Sequence, residues 1–311
     1  MLEVKKISKS FGKRDVVKDI SFHVQTGESF GLLGPNGAGK STTISMMCGL
    51  LSIDTGDIMV GGMPVSQKNM EVKRKIGVVP QEIALYPSMS ARDNLIFWGK
   101  MYGLSGKEAK IRSLEVLEFI GLSNRGNDKI DTFSGGMKRR VNIGAALMHH
   151  PSLLIMDEPT VGIDPQSRNH ILETVKHLNN DGMTVIYTSH YMEEVEYLCS
   201  RIGIIDHGKL IALGTKNELT NRIAGGTIIE LTLQEMKEDF IEAVTLLEEV
   251  EKVHSFPEEL KMEIFVSDSH HVLGQLISLS TSYHCTVTSL DVKEPNLETL
   301  FLQLTGRTLR D

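Results

Sequence analysis

The pattern GxxxxGKS occupies residues 34–41, in the run Gly34-Pro35-Asn36-Gly37-Ala38-Gly39-Lys40-Ser41-Thr42. The apolar residues 29–33 before it predict a short buried strand, and residues 42–47 after it predict a helix. Glycines allow a tight turn whose N–H groups point at an anion, and the helix N-terminus adds a partial positive charge. The run therefore predicts a nucleotide triphosphate site in which Lys40 reaches the β- and γ-phosphates and the Ser41 hydroxyl binds Mg²⁺.

Two further stretches are informative about the chemistry. Residues 153–156 predict a buried strand, and Asp157 and Glu158 follow it directly. Such a pair suits one carboxylate for Mg²⁺ and one for a water molecule, although ordinary acidic residues at a strand end give the same pattern. Upstream, Ser134 precedes two glycines and a helical segment. Read alone, Ser134 is a helix N-cap, and Arg139 and Arg140 lie on the solvated face of that helix.

Together these motifs resemble those of the ATP-binding cassette (ABC) ATPases over about residues 2–222. The order and spacing match for the phosphate loop, Ser134-Gly135-Gly136, Asp157-Glu158-Pro159, Gly162-Ile163-Asp164 and Thr188-Ser189-His190. Gln81, after the apolar residues 76–80, matches the family's Gln loop, and Phe11 with Val16 matches the loop on which adenine stacks. Two departures are Phe133 for the usual Leu and Met137 for the usual Gln, and neither changes the Ser-Gly-Gly signature.

The resemblance implies a role for each motif residue. ATP would contact Phe11, Val16, Asn36, Gly37, Ala38, Gly39, Lys40, Ser41 and Thr42. Mg²⁺ would be held by Ser41, Gln81 and Asp157, Glu158 would be the general base, and His190 would contact the γ-phosphate, with Gln81 near the attacking water. Without the resemblance, Phe11 and Val16 would be interpreted as core residues of a small N-terminal sheet. Because stacking tolerates any purine, we expect weak discrimination between ATP and other purine triphosphates.

The signature also predicts the assembly. In the family, Ser134, Gly135 and Gly136 of one subunit would close over the phosphate loop of another, and Asp164 would lie in a loop that crosses this interface. The chain has one phosphate loop and one signature. We therefore expect a two-fold dimer with two shared sites, either a homodimer or a heterodimer with a homologous ATPase.

Composition restricts the partners and the compartment. The chain has 311 residues, of which 41% are hydrophobic, enough for two buried cores, and its net charge of −7 gives no basic surface for nucleic acid. No apolar segment approaches the roughly 20 residues of a membrane span, and the N-terminus lacks a signal-peptide core. The three cysteines are far apart, which favours reduced thiols. With the resemblance, these features predict a peripheral protein on the cytoplasmic face of the cell membrane, bound there through polytopic permease subunits.

The predicted fold is α/β, with a phosphate-loop ABC core, an N-terminal antiparallel β subdomain and a helical subdomain at about residues 88–150. Within that subdomain, Ile111, Leu114, Leu117 and Ile120 are predicted to share one inward face. Gly225-Gly226 marks a boundary between an ATPase domain over 1–222 and a smaller C-terminal domain over 227–311. The order βαββαβ predicted for the second domain favours a ferredoxin-like α+β layer, for which we expect a regulatory or dimerisation role.

The C-terminal tail, residues 294–307, resembles that of ATPases serving ABC-2 type exporters, especially the daunorubicin-resistance-like branch. It also predicts a terminal helix that packs Leu297, Leu300, Phe301 and Leu304 inward. The resemblance thus implies an ATPase that powers export of an antibiotic or another amphipathic compound. Alternatives are an exporter of lipid or polysaccharide, a soluble ABC ATPase acting on ribosomes or DNA, and a ligand-sensing regulator. The acidic balance and the single cassette argue against the soluble class.

Overall fold

The computed structural model describes residues 1–220, 227–267, 269–293 and 296–305. One compact unit is formed by Met1–Lys216, and a second begins at Asn217. The predicted boundary at Gly225-Gly226 lies outside the described residues, as do the two ends of the tail, residues 294–295 and 306–307.

The first unit contains ten strands and seven α-helices among its described residues. The strands are β1 (Leu2–Phe11), β2 (Arg14–Val24), β3 (Ser29–Leu33), β4 (Thr55–Val60), β5 (Met63–Pro64), β6 (Ile76–Val79), β7 (Leu153–Asp157), β8 (Thr184–Ser189), β9 (Arg201–Asp206) and β10 (Lys209–Gly214). The helices are α1 (Lys40–Met47), α2 (Met70–Lys73), α3 (Ala91–Met101), α4 (Gly106–Phe119), α5 (Gly135–Leu147), α6 (Pro165–Asn180) and α7 (Met192–Leu198). A short helix, α8 (Lys216–Thr220), follows.

The first unit contains two sheets. The N-terminal sheet is antiparallel, in the order β2-β1-β4-β5. The larger sheet has the order β10-β9-β3-β8-β7-β6, in which every pair is parallel except β10 with β9. Strands β3, β7 and β8 are buried along their whole length, because central parallel strands are covered on both faces. The two sheets share one core, in which the rings of Phe22 and Phe30 stack at 5.1 Å.

The helical part consists of α3, α4 and α5, which pack around a separate apolar cluster. Ser90 caps α3 by accepting the Asp93 N–H at 3.0 Å, and Ser105 with Glu108 forms the predicted capping box of α4. The prediction of a single inward face on α4 is wrong. Leu117 and Ile120 are buried, but Ile111 and Leu114 are each 52% exposed. Each step of three residues turns about 60° around a helix, so a run spaced by threes turns away from the core.

The second unit contains β11 (Thr227–Leu233), α9 (Glu238–Thr245), β12 (Val250–Phe256), β13 (Lys261–Val266), α10 (Ser269–Ser282), β14 (Val287–Lys293) and α11 (Leu297–Thr305). Its sheet is antiparallel throughout, in the order β12-β13-β11-β14. This is the predicted βαββαβ order, with the strand arrangement of a ferredoxin-like fold. In α11, Leu297, Leu300 and Phe301 are buried as predicted. The prediction is wrong for Leu304, which is 46% exposed.

Candidate nucleotide site

The phosphate loop connects β3 to α1 and has the backbone that an anion site requires. Gly37 and Gly39 have φ values of 77° and 106°, a region that side chains with a Cβ rarely adopt. A Cβ at Gly39 would also lie 2.8 Å from the carbonyl oxygen of Val16. Gly39 is the N-cap residue of α1 and has no side chain with which to cap it. The N–H groups of the first turn are thus available to a phosphate.

A cavity of about 280 Å³ lies on this loop. The residues that line it are Phe11, Arg14, Val16, Pro35, Asn36, Gly37, Gly39, Lys40, Ser41, Thr42, Gln81 and Glu158. The structure therefore brings most of the predicted nucleotide contacts around one space, whereas Ala38 is buried behind the loop. Phe11 is 50% exposed, so it is not a core residue of the N-terminal sheet. Arg14 was not predicted, because an exposed arginine at the start of a strand has no distinctive local pattern.

The side chains of Lys40, Glu158 and His190 meet beside this cavity. The Lys40 ammonium donates to the carbonyls of Gly34 and Pro35 at 2.7 and 3.3 Å, and it lies 3.3 Å from Glu158 Oε1. The other oxygen of Glu158 lies 3.4 Å from Nδ1 of His190. Lys40 and Glu158 are both buried, so each charge compensates the other. The glutamate thus stands between the lysine of the phosphate loop and the histidine that follows β8.

Thr188, in β8, hydrogen-bonds to both acidic residues at the end of the neighbouring strand β7. Its hydroxyl donates to Asp157 Oδ1 at 2.8 Å and accepts the backbone N–H of Glu158 at 2.9 Å. Glu158 has a φ of +46°, a strained conformation for a residue with a side chain. This hydrogen bond therefore holds the start of the loop in place. Cys48 lies in the core of this unit, where burial and the charge of Asp157 raise the pKa of its thiol to about 12, so the thiol stays protonated.

The signature residues lie outside the lining of this cavity. Ser134 is exposed and caps α5 by accepting the Met137 N–H at 3.3 Å. Gly135 is exposed beside it, and Gly136 is buried against Ser167 and close to Asp164. Asp164 caps α6, and the Ser167 N–H that it accepts at 2.9 Å lowers the pKa of the Asp164 carboxyl. Within the described part of the chain, none of these residues lines the nucleotide cavity.

Gln81 connects the cavity to the signature helix α5. Its side chain is exposed in the cavity lining, and its backbone carbonyl accepts a hydrogen bond from Arg139 Nη2 at 2.5 Å. The other guanidinium nitrogen, Nη1, donates to the carbonyl of Pro80 at 2.7 Å. Arg139 is 4% exposed, so its predicted place on a solvated helix face is wrong, and burial lowers the pKa of its guanidinium. Its role was missed because a basic residue in a mixed helix is usually solvated.

These features define a phosphate-loop ATPase of the ABC type, and comparison with known proteins agrees. The family model for ABC transporters matches residues 17–161. The linearmycin resistance ATP-binding protein LnrL of Bacillus subtilis (strain 168) is 61% identical over 311 residues, covering 100% of both chains. A Nod factor export ATP-binding protein I of Paraburkholderia xenovorans (strain LB400) is 36% identical and covers 100% of this chain and 98% of its own length. The chain belongs to the ATP-binding subunits of ABC transporters, and it is an ATP hydrolase.

Solved structures agree on the fold. A dimeric ATP-binding cassette bound to ADP and phosphate superposes with a TM-score of 0.63 at 27% identity, covering 69% of this chain and 98% of its own. An ATP-binding subunit of an ABC transporter gives 0.65 at 31% identity, with coverage of 71% and 92%. The predicted family and α/β fold are confirmed. Among the described residues, no helix is both long enough and apolar enough to cross a membrane.

Proposed function

We propose that the chain is the ATP-hydrolysing subunit of an ABC-2 type exporter that moves an antibiotic or another amphipathic compound through separate membrane subunits. The support is the full-length similarity to an ATP-binding protein named for linearmycin resistance, together with similarity to several named for Nod factor export. Export of lipid or polysaccharide is the alternative. The residues that contact cargo would belong to the permease.

The observation that carries the chemistry is the position of Glu158 between Lys40 and His190. In the proposed reaction, Glu158 accepts a proton from the water that attacks the γ-phosphorus, and His190 contacts the γ-phosphate. Lys40 exchanges the carbonyls of Gly34 and Pro35 for the β- and γ-phosphates. The adenine stacks on Phe11, and the phosphates bind the N–H groups from Asn36 to Thr42.

The donor set beside these residues fits Mg²⁺. Ser41 supplies a hydroxyl, Asp157 a carboxylate and Gln81 an amide oxygen, and oxygen ligands of this kind are those that Mg²⁺ prefers. Thr188 bonds only one carboxylate oxygen of Asp157 in the contacts described, which leaves the other oxygen for the ion or its water. When bound, Mg²⁺ would neutralise charge on the β- and γ-phosphates.

A single subunit would hold an incomplete site. Ser134 and Gly135 are exposed at the start of α5 and do not line the described part of the nucleotide cavity. We infer that Ser134, Gly135 and Gly136 complete the site of a second subunit, either an identical chain or a homologous ATPase, with Asp164 in the loop that crosses the interface. The dimer would sit on the cytoplasmic face of the membrane, bound through its permease, with no role for nucleic acid.

Two substitutions separate binding from hydrolysis. Lys40→Ala should abolish productive ATP binding, whereas Glu158→Gln should bind ATP and hydrolyse it about a hundredfold more slowly or worse, the usual effect of losing a general base. Nucleotide binding and steady-state phosphate release are measured on each purified variant. Glu193→Gln, at an exposed position on α7, serves as the matched control and should retain both. Near-normal turnover by Glu158→Gln would remove Glu158 from the role of base.

A further inference from the structure

A buried carboxylate lies behind the candidate site, outside the lining of the nucleotide cavity. Glu194 is on α7, four residues after His190, and is only 1% exposed. Val195 and Leu198 are buried on the same helix. A glutamate among such residues is rare unless its charge is paired, so its partners decide what it does.

Four side chains bind this carboxylate. The hydroxyls of Thr160, Tyr187 and Ser189 donate to Oε2 at 2.8, 2.9 and 2.7 Å. The other oxygen, Oε1, lies 2.6 Å from Nε of Arg168 as an ion pair. Burial, together with the charge of Glu194, raises the pKa of Tyr187 well above its usual value, so the phenol stays protonated and donates. The charge strengthens each of these hydrogen bonds in a medium with little water.

The hydroxyl donors belong to the two segments that carry the proposed catalytic groups. Thr160 follows Glu158 by two residues, in the loop that leaves β7. Ser189 directly precedes His190 and also accepts the backbone N–H of Tyr191 at 2.9 Å. The carboxylate therefore ties the loop after Glu158 to the turn that contains His190. The side chains of Glu158 and His190 are themselves close, since Oε2 of Glu158 lies 3.4 Å from Nδ1 of His190.

The ion pair extends the network to the loop proposed to cross the dimer interface. Arg168 is in the first turns of α6, and its backbone N–H donates to the carbonyl of Asp164 at 2.9 Å. Its guanidinium lies 4.6 Å from the ring centroid of Tyr191, the residue after His190. One buried charge thus joins the segments of Glu158, His190 and Asp164.

We propose that Glu194 is a positioning residue, which holds Glu158 and His190 in fixed positions relative to each other and to the loop that contains Asp164. The inference rests on the proposed roles of those three residues. Sequence reasoning missed Glu194 because its partners are far apart in the chain and meet only in the fold. The one available sign was its placement beside Val195 and four residues before Leu198, on the apolar side of α7.

The test is steady-state ATP hydrolysis by Glu194→Gln, with the rate corrected for the folded fraction of each preparation. The amide keeps the size of the side chain but loses the charge. We expect kcat to fall about 10- to 100-fold, as for a slight misplacement of reacting groups, with KM for ATP changed less than about twofold. The matched control is Glu28→Gln, because Glu28 also pairs with an arginine, Arg201, at 2.9 Å. Glu28 precedes β3, at the end of the sheet opposite the phosphate loop, so its loss should leave kcat within about twofold of wild type.

A kcat for Glu194→Gln that matches Glu28→Gln would overturn the inference, and so would a KM that rises as much as kcat falls. If Glu194→Gln does not fold, Thr160→Val and Ser189→Ala each remove one donor. Each should then lower kcat with KM unchanged, and normal kcat in both would overturn the proposal. The Glu158→Gln variant, run in parallel, separates the two claims: near-normal turnover there refutes the proposed base, whereas a loss there with unaffected Glu194→Gln refutes only the positioning role.

Discussion

At the scale of single residues, the candidate site depends on side chains that face the cavity without being held in a core. Phe11 is the clearest case, since half of its side chain is exposed and Lys9 Nζ lies 5.9 Å from its ring centroid. Its ring is available for stacking on a base. The aromatic face offers no hydrogen bond that would distinguish one purine from another.

Phe11→Ala should raise KM for ATP about tenfold and leave kcat nearly unchanged, because base stacking contributes about 1–3 kcal/mol and does not involve the reacting phosphate. Phe11→Tyr keeps the ring and should behave like wild type. The measurement is steady-state hydrolysis of ATP and GTP by each variant. An equal fall in kcat and in kcat/KM for Phe11→Ala would show that the ring acts in the chemical step instead.

At the scale of helices and strands, sequence reasoning succeeded where local signals are strong. The apolar runs of β3 and β7 and the capping residues Ser90 and Ser105 predicted elements that the structure contains. It failed where burial depends on neighbours distant in sequence. Ile111 and Leu114 turn away from the helical cluster, and Arg139 is buried because it meets the carbonyls of residues 80–81. Such contacts are set by packing of elements, which periodicity does not specify.

The junction of the helical part with β6 should be sensitive to acid. His149, which follows α5, stacks on Tyr102 at 3.9 Å between ring centroids and lies 3.1 Å from the carbonyl of Ile76. Burial, with a smaller contribution from His150, lowers the pKa of His149 from 6.5 to about 4. The unfolded chain therefore binds a proton more readily than the native one. This group therefore leaves the free energy of unfolding unchanged above about pH 6.5, and that free energy falls progressively as the pH drops from 6.5 to 4.

We expect His149 to account for a loss on the order of 1–2 kcal/mol in the free energy of unfolding between pH 7 and pH 4.5, after allowance for its partial exposure. His149→Phe keeps a ring against Tyr102 and should show a smaller loss over this range. Urea unfolding at the two pH values measures the difference, with exposed His177→Phe as control. An identical loss in wild type and His149→Phe would exclude this histidine as the cause.

At the scale of the whole molecule, the second unit has a complete ferredoxin-like sheet and its own apolar core. Its sequence has no nucleotide motif, and we propose that it regulates the dimer. A fragment of residues 1–226 should bind ATP within about twofold of the full chain, because the lining of the cavity lies within residues 11–158.

The same fragment should form a shorter-lived ATP-bound dimer and should support less export when paired with the native permease. Dimer lifetime is measured by size-exclusion chromatography after dilution, and export is measured in cells. If the domain only stabilises the chain, a soluble 1–226 fragment will match the full protein in both measurements.

In the proposed cycle, the signature of one subunit closes over the phosphate loop of another. Light scattering tests this closure: the molar mass of Glu158→Gln is measured with ATP and Mg²⁺, with and without the second substitution Ser134→Arg. The side chain added by Ser134→Arg would occupy the phosphate position. We predict twice the 34.5 kDa of one chain for Glu158→Gln, and the mass of a single chain once Ser134→Arg is added, with the fold intact. The same dimer population in both proteins, with ATP bound, would contradict the shared site.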